Sequence, residues 1–410
     1  GFNPPGIPFL KPFFSRRIGI GPFGEPTEID WGARLTGRAG PWSIGLLEAQ
    51  TGEIDQTFPF PFTVPENNWG VVRLKRNVGV RSTVGMIFTN RDAAGALDSR
   101  FNETNRVFGL DADFNPSRAL NLAGFFTKSD DSLSTGSDDW SGGGRIAWRN
   151  PLYNWALDVM QIGADYNPEA GFLLRRDIRR YTPRFNYLPR PQISGVRNLI
   201  FGVTGDLITD TDDNQETLEV AANLFGVRFN TEDEIIVFGD YTEDRLEAPF
   251  TLAPGVVIAA GEYDFADAGI AFETNNSRRL STDGFLLLGD YYGGDRVSSR
   301  VNLGWRPSRF LRTDTTWLRD DLDLPGGQFE NNIVRQRVGV SITPDLSTNT
   351  YLQYNEAAEL LSLNLRFNWI YRPGSDIFVV FNQNWRAPDL GDLSSRDRAV
   401  ILKFTYLFEL

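Results

Sequence analysis

The sequence predicts an all-β chain that forms a single transmembrane, antiparallel, up-and-down β-barrel of about 22 strands (roughly 20–24), with short periplasmic turns and longer outer loops. Three observations lead there. Apolar and polar residues alternate with a period of two along most of the 410 residues. Tight, turn-forming connections take turns with longer polar ones. No apolar run could cross a membrane as a helix: the longest, 256–260 and 377–381, have five residues each, where a spanning helix needs about 20.

In chain order, a first strand is expected from Phe13 onward. Ile29, Trp31, Ala33 and Leu35 then alternate with Asp30, Gly32, Arg34, Thr36 and Arg38. Phe108, Leu110, Ala112 and Phe114 face away from Asp111 and Asp113. Leu361, Leu363, Leu365, Phe367, Trp369 and Tyr371 alternate with Ser362, Asn364, Arg366, Asn368 and Arg372, with Ile370 out of pattern. Val400, Leu402, Phe404, Tyr406, Phe408 and Leu410 close the chain opposite Lys403, Thr405 and Glu409. Successive strand residues point to opposite faces, so each run has an apolar and a polar face. A soluble sandwich buries the apolar face; a membrane barrel turns it to lipid and keeps the polar face for the lumen.

Connection lengths favour the barrel. Short ones fall at 38–41, 77–82, 115–118, 149–152, 189–194, 230–233, 274–278, 306–309, 343–347 and 372–376, rich in Pro, Gly, Asn, Asp and Ser. Each of these residues makes tight turns for its own steric reason. Mostly longer polar connections lie between them, such as 51–67, 91–104, 129–138, 246–257, 320–328 and 386–396. Ten turns and eleven outer connections separate 22 strands, at about 19 residues per strand and connection, which fits membrane strands of about 9–11 residues. An even count puts both chain ends on the periplasmic side. Residues 1–12 are then a lead-in and 13–410 the barrel domain. Residues 1–10 have no basic start or apolar stretch, so no signal peptide is read there, and the chain is expected to be a mature form or a fragment.

Composition narrows the function. There is no histidine and no cysteine. Disulfides, thiolate metal sites and a Ser-His-Asp triad are excluded, and no cofactor is expected. The net charge of −12 repels nucleic acid. Only Lys11, Lys75, Lys128 and Lys403 among the 41 basic residues are lysine. Arginine keeps its charge and makes forked hydrogen bonds, which suits a partly dehydrated polar interior.

Five stretches resemble a known family: Phe14-Ser15-Arg16-Arg17-Ile18-Gly19, Ile29-Asp30-Trp31-Gly32-Ala33-Arg34-Leu35-Thr36-Gly37, Val72-Arg73-Leu74-Lys75-Arg76, Gly85-Met86-Ile87-Phe88-Thr89-Asn90-Arg91 and Asp165-Tyr166-Asn167-Pro168-Glu169-Ala170-Gly171-Phe172. Together they resemble the C-terminal barrel domain, of unknown function, that follows a family-9-like carbohydrate-binding module in large Gram-negative outer-membrane proteins. The resemblance runs from Phe13 to the C-terminus. It implies an outer-membrane barrel, and a preceding carbohydrate-binding module of which these residues hold nothing. Carbohydrate binding and glycoside hydrolysis would belong to that module.

Arg34, Arg73, Lys75, Asp111, Asp113, Arg366 and Lys403 are predicted to line the lumen, either as a solute-selecting wall or as ion pairs that solvate the interior. Their mixed signs argue against a strong ion filter. Asp130/Asp131, Asp138/Asp139, Asp212/Asp213 and Asp320/Asp321 are placed in outer loops as solvated acids, not as a glycosidase pair. Asp210, Asp212 and Asn214 have calcium-loop spacing, but Gln215 stands where glycine is needed and Ala221 where a bidentate acid is needed, so an EF-hand is rejected. Gly142-Gly143-Gly144 lacks the Gly-Lys-Ser of a phosphate loop and marks a bend or close approach. The segment 167–171 is read as a turn held by Pro168 and Gly171 in preference to a constriction folded into the lumen.

The expected function is a channel or translocation conduit with a polar lumen, linked to glycan handling. The alternatives are a non-conducting anchor or scaffold for a carbohydrate-binding module or partner proteins, and, less favoured, a carboxylate-dependent glycoside hydrolase. No catalytic or metal site is assigned. The expected surroundings are outer-membrane lipid and lipopolysaccharide, with periplasmic or surface proteins and glycans as partners.

Overall fold

The computed structural model describes residues 10–21, 24, 26–56, 62–94, 103–133, 136–253 and 255–407. Among them the chain is all-β, with 27 strands and one three-residue 3-10 turn. The Phe408 to Leu410 end of the expected last strand lies outside the described residues. Contacts divide the chain into two compact units, 1–186 with 204–218 and 187–203 with 219–410.

In the first unit, Ile29–Ala39, Trp42–Thr51, Glu66–Val78, Ser82–Ala94, Thr104–Phe114, Leu120–Asp131, Trp140–Arg149 and Tyr153–Ile162 form an antiparallel ladder, each strand paired with the next. Register carries the sequence pattern across strands. Ile44, Leu74, Met86, Leu110 and Phe126 form one row of neighbours. This apolar face is uncovered, with Leu35, Phe108, Leu110 and Phe126 all exposed. The other face carries Arg73, Lys75, Asp111 and Asp113 but also buried Ile87, Val107, Phe125 and Met160.

In the second unit the ladder runs through Glu234–Leu246, Gly261–Glu273, Leu280–Tyr291, Gly294–Trp305, Leu311–Leu324, Gly327–Thr343, Leu346–Asn355, Leu360–Arg372, Ser375–Asp389 and Asp392–Thr405. Val301, Trp317, Val334, Tyr354, Leu361 and Trp385 make one cross-strand row. On the opposite face Asp283, Asn302, Thr316, Arg335, Gln353, Ser362, Asn384 and Asp397 make another. Along these two rows one face is greasy and the other polar.

All ten expected short turns connect strands. The turn 230–233 shows how they are held. Thr231 Oγ1 and Arg278 Nη2 donate to Asp233 Oδ2 at 2.7 and 2.6 Å, and the Asn275 amide donates to Oδ1 at 3.0 Å. These donors, the Thr231 hydroxyl foremost, hold the Asp233 carboxyl down at about 2.

At the other end the two units differ. The first has the expected long connections, at 52–65, 95–103, 132–139 and 163–177, and one tight turn at 211–214. The second has one, 247–260, and otherwise tight turns at 292–293, 325–326, 356–359 and 390–391. The expected loops 320–328 and 386–396 are therefore mostly strand. Asp320 and Asp321 sit on opposite faces of Leu311–Leu324, one accepting from Ser298 Oγ at 2.8 Å and the other paired with Arg319 at 3.4 Å. Tyr292 and Gly293 both have positive φ, 45° and 80°, as in the type I′ turn that matches strand twist.

The strand expected from Phe13 is not formed. Ser15–Arg17 is a 3-10 turn and the first long strand starts at Ile29. Adjacent Phe13-Phe14 and Arg16-Arg17 break the period of two, and Gly19 has φ +85°. Ile29 lies opposite Thr51, so the first long strand begins at the long-connection end of its unit. The segment before it stays there: Leu10–Lys11 pairs with Phe172–Leu173 of the connection 163–177. The described part of the expected lead-in, from Leu10, thus lies at the long-connection end; residues 1–9 lie outside the described residues.

Candidate functional site

In the first unit the connection 163–177 folds onto the polar face of the ladder. Its base is tied to the neighbouring connection: the Asp165 amide donates to Asp138 O at 3.0 Å, and Asp138 Oδ2 accepts from the Ala164 amide at 3.1 Å. Tyr166 then drops into a cluster of Leu10, Ile87, Val107, Phe125, Met160, Ile162 and Ile178 and is fully buried. Burial raises its phenol pKa well above the ordinary range, with the Thr127 side chain nearby opposing the shift.

Polar pegs fix the rest. Asn105, itself buried, donates to Asn167 O at 2.8 Å and accepts from the Glu169 amide at 3.1 Å. Ser129 Oγ accepts from the Asn167 amide at 3.0 Å. Arg91 Nη2 meets Glu169 Oε2 at 2.5 Å while Nη1 donates to Asn67 Oδ1 at 2.8 Å. The Gly171 amide closes a turn on Pro168 O at 2.8 Å. The local turn expected from Pro168 and Gly171 is thus present, and the segment lies against the polar face of the sheet. Strand 10–11 and the Phe14 amide, which donates to Ala170 O at 2.9 Å, hold the N-terminal segment over it. Beneath these segments is a cavity of about 250 Å³ lined by Asn67, Trp69, Arg91, Asn167 and Glu169 among others.

Nearer the short turns of the same face, Arg73 forks onto Asp111 at 2.6 and 3.0 Å. The pair crosses directly over Gly85, where a Cβ would lie 2.5 Å from Arg73 Nη1 and 2.8 Å from Asp111 Oδ1. Asp113 accepts from Asn115 and Asn121 at 2.8 and 2.7 Å. Lys75 lies opposite Ser43 and Gly85, and Arg34 opposite Leu47. Arg34, Arg73, Lys75, Asp111 and Asp113 thus share one face; among these five, Arg73 and Asp111 form the ion pair. Gly143 marks a close approach, with the Phe125 ring 2.9 Å from where its Cβ would be. Asp210 caps its own turn, accepting from the Asp212 and Asn214 amides at 2.9 and 2.8 Å.

In the second unit the connection 247–260 carries a small hairpin, Phe250–Ala253 with Val256–Ile258, packed on Leu322, Leu324, Tyr263, Tyr291 and Tyr292. Tyr292 donates to Asp244 at 2.7 Å, and burial first, then that bond, raises its phenol pKa. Further along the polar face lie two adjoining cavities, of about 410 and 590 Å³, which share Arg337 and Tyr351. Arg366 lines the second and donates to Asn364 at 2.8 Å. Lys403 lies on the same face opposite Phe378. Arg335, Arg337, Tyr351 and the pairs Arg300–Asp283 and Arg312–Asp314 were not singled out in sequence. The signal was available: Arg335 and Arg337 sit two apart between Val334 and Val338.

No family model and no curated protein matches the chain. Among solved structures it is similar to the siderophore receptor PiuA from Acinetobacter baumannii (TM-score 0.49, 8% identity, 92% of this chain and 79% of that one). It is also similar to the ferric-catecholate import receptor Fiu from E. coli K12 (0.41, 8%, 87% and 67%) and to the copper transporter OprC (0.32, 9%, 92% and 70%).

Proposed function

We propose that the chain is an outer-membrane β-barrel whose polar face lines an aqueous lumen, and that it works as a channel or translocation conduit narrowed by the connection 163–177. The observation that carries this is the uncovered apolar face. In both units it persists row after row in register, with Leu110, Phe126, Trp317 and Trp369 exposed. A water-soluble chain does not leave so much apolar surface bare. Lipid accepts such a face, provided the strands satisfy their backbone groups by closing on themselves. The ladder strands are 10–17 residues long, enough to cross at about 9–11 residues each. The opposite, polar face needs water, and a barrel of this many strands has room for it. Outer-membrane lipid and lipopolysaccharide are then the surroundings.

The test is single-channel recording after refolding in detergent, on the wild type and on a variant whose residues 165–172 are replaced by a short Gly-Ser linker. Discrete steps are expected, larger in the variant. Silence from both, in a preparation that shows the heat-modifiable migration of a folded barrel, would overturn the conduit and leave the anchor.

A further inference from the structure

We infer that the polar face of the second unit carries an oxyanion-binding site centred on Arg337 and flanked by Arg335 and Arg366, which takes a phosphate or carboxylate group of a water-soluble solute. The inference rests on the proposed lumen only in requiring that this face meet water.

Charge pairing is uneven across the face. Arg312 spends its fork on Asp314, through Nε at 2.8 Å and Nη2 at 2.9 Å. Asp283 takes Arg300 at 3.2 Å and Asn302 at 2.9 Å. These two acids are the carboxylates in the lining of the paired cavities, and both are matched. Arg335 and Arg366 reach only neutral acceptors, each through Nε: Gln353 at 3.0 Å and Asn364 at 2.8 Å. Their terminal nitrogens have no protein acceptor among the described residues, and neither does the Arg337 side chain. Three guanidinium groups with no ion pair among the described residues therefore border the two adjoining cavities in a chain of net charge −12; Asp314, the acid in register opposite Arg337, is already forked by Arg312.

Geometry favours a shared ligand. Arg335 and Arg337 are two apart on one strand, so they stand on the same face about 7 Å apart at the backbone. Tyr351 faces Arg337 in register, Asn364 faces Tyr351, and Arg366 is two residues beyond Asn364. Like charges this close repel in an empty site, and an oxyanion between them removes the repulsion. The guanidinium fork matches the paired oxygens of phosphate and carboxylate. Tyr351 is already committed, donating to Gln353 at 2.8 Å, which holds the Arg335 acceptor in place. Solvation of the face alone would be served by neutral polar groups, such as Ser362 and Asn384 in the row of Arg335.

Titration of the refolded full chain with inorganic phosphate in detergent tests this without requiring conduction. The wild type is expected to bind, and Arg337→Gln to lose about tenfold in affinity, the loss of one charge-assisted pair of hydrogen bonds. Arg337→Lys, which keeps the charge but not the fork, should fall between. Arg319→Gln removes an arginine from the opposite face, where it pairs with Asp321 and Glu330, and should bind as the wild type does. Equal phosphate binding by wild type and Arg337→Gln, or an equal loss in Arg319→Gln, overturns the site, as does a wild type that binds no phosphate. Citrate competing with phosphate supports a general oxyanion site; competition from a phosphate ester alone would narrow the solute to phosphates. Arginine-dependent binding in a barrel that never conducts would sink the conduit while sustaining the site.

Discussion

Replacing Glu169 with alanine should release the connection 163–177 from the sheet. Glu169 is the acid partner of Arg91, whose side chain is only 6% exposed while that of Glu169 is 24% exposed. Removing one partner of a fully buried pair costs about 3–5 kcal/mol, because the other charge stays behind uncompensated. Glu169 is partly wet and Arg91 keeps its bond to Asn67, which brings the expected cost to about 2 kcal/mol. Local opening then becomes about 30-fold more frequent, at about 1.4 kcal/mol per factor of ten. Amide hydrogen exchange reads this directly, since protection in a locally opening segment reports its opening free energy. Faster exchange is expected at Asn167, Glu169 and Gly171. It should extend to Phe14, whose amide donates to Ala170, while Phe108 and Phe126 in the ladder stay protected. Unchanged exchange across 163–173 in a folded variant would refute the reasoning. It would mean that burial of Tyr166 holds the segment unaided.

Three further outcomes follow from the same geometry. Gly85→Ala puts a methyl group into the Arg73–Asp111 fork and should cost about 1–3 kcal/mol, as overpacking does; in urea titrations the loss should shrink in an Arg73→Ala background, and an undiminished loss would show that the fork is not what the methyl group meets. The turn at Asp233 should be pH-sensitive: its folded pKa of about 2 lies below an unfolded value near ~3.9, so its stabilisation is complete above about pH 4 and is lost as pH falls toward 2. Exchange at the Asn275 amide should rise over that window in the wild type and be insensitive to pH there in Asp233→Asn, after correction for intrinsic rates. Leu110→Arg on the bare face should lower bilayer folding stability by about 2–4 kcal/mol, the penalty for arginine at the membrane midplane, whereas Thr316→Arg on the polar face should be tolerated; equal penalties would remove the distinction between the faces.

Legibility in the sequence followed the range of the forces involved. The ten short turns were readable because Pro, Gly, Asn and Asp act on their own backbone. That Arg73, Lys75, Asp111 and Asp113 share a face follows from counting parity along two strands and needs no knowledge of the third dimension. The clamp on Glu169 was not readable. Asn67, Arg91, Asn105 and Glu169 come from widely separated stretches, and each alone is an ordinary polar residue, the first three near strand ends and Glu169 in a connection. The segment 167–171 shows the limit well. Its local chemistry, a Pro-Gly turn, was visible, but its position depends on Tyr166 finding a hole between Ile87 and Val107. The tight turns of the second unit were hidden for a different reason. Asp320 and Asp321 look like a solvated loop, yet they lie on opposite faces of one strand, each with a partner there. The missing first strand was written in the paired Phe13-Phe14 and Arg16-Arg17, which period two does not allow.

The pairing of Leu10–Lys11 with Phe172–Leu173 also has a mechanical consequence. The clip is two residues long, and Leu10 is at the same time a plug in the hole that Tyr166 fills. Tension on the chain ahead of Leu10 would therefore load the connection before it loaded any long strand of the ladder. The path is short: Leu10 pulls on Leu173, and the turn at Pro168–Gly171 passes the strain to Glu169 and so to Arg91. Withdrawing Leu10 would take a buried side chain from beside Tyr166 and tug the ion pair in the same movement. The first unit is thus built so that a modest pull at one place, transmitted by a ladder too short to resist it, would be felt at the most heavily clamped part of its polar face.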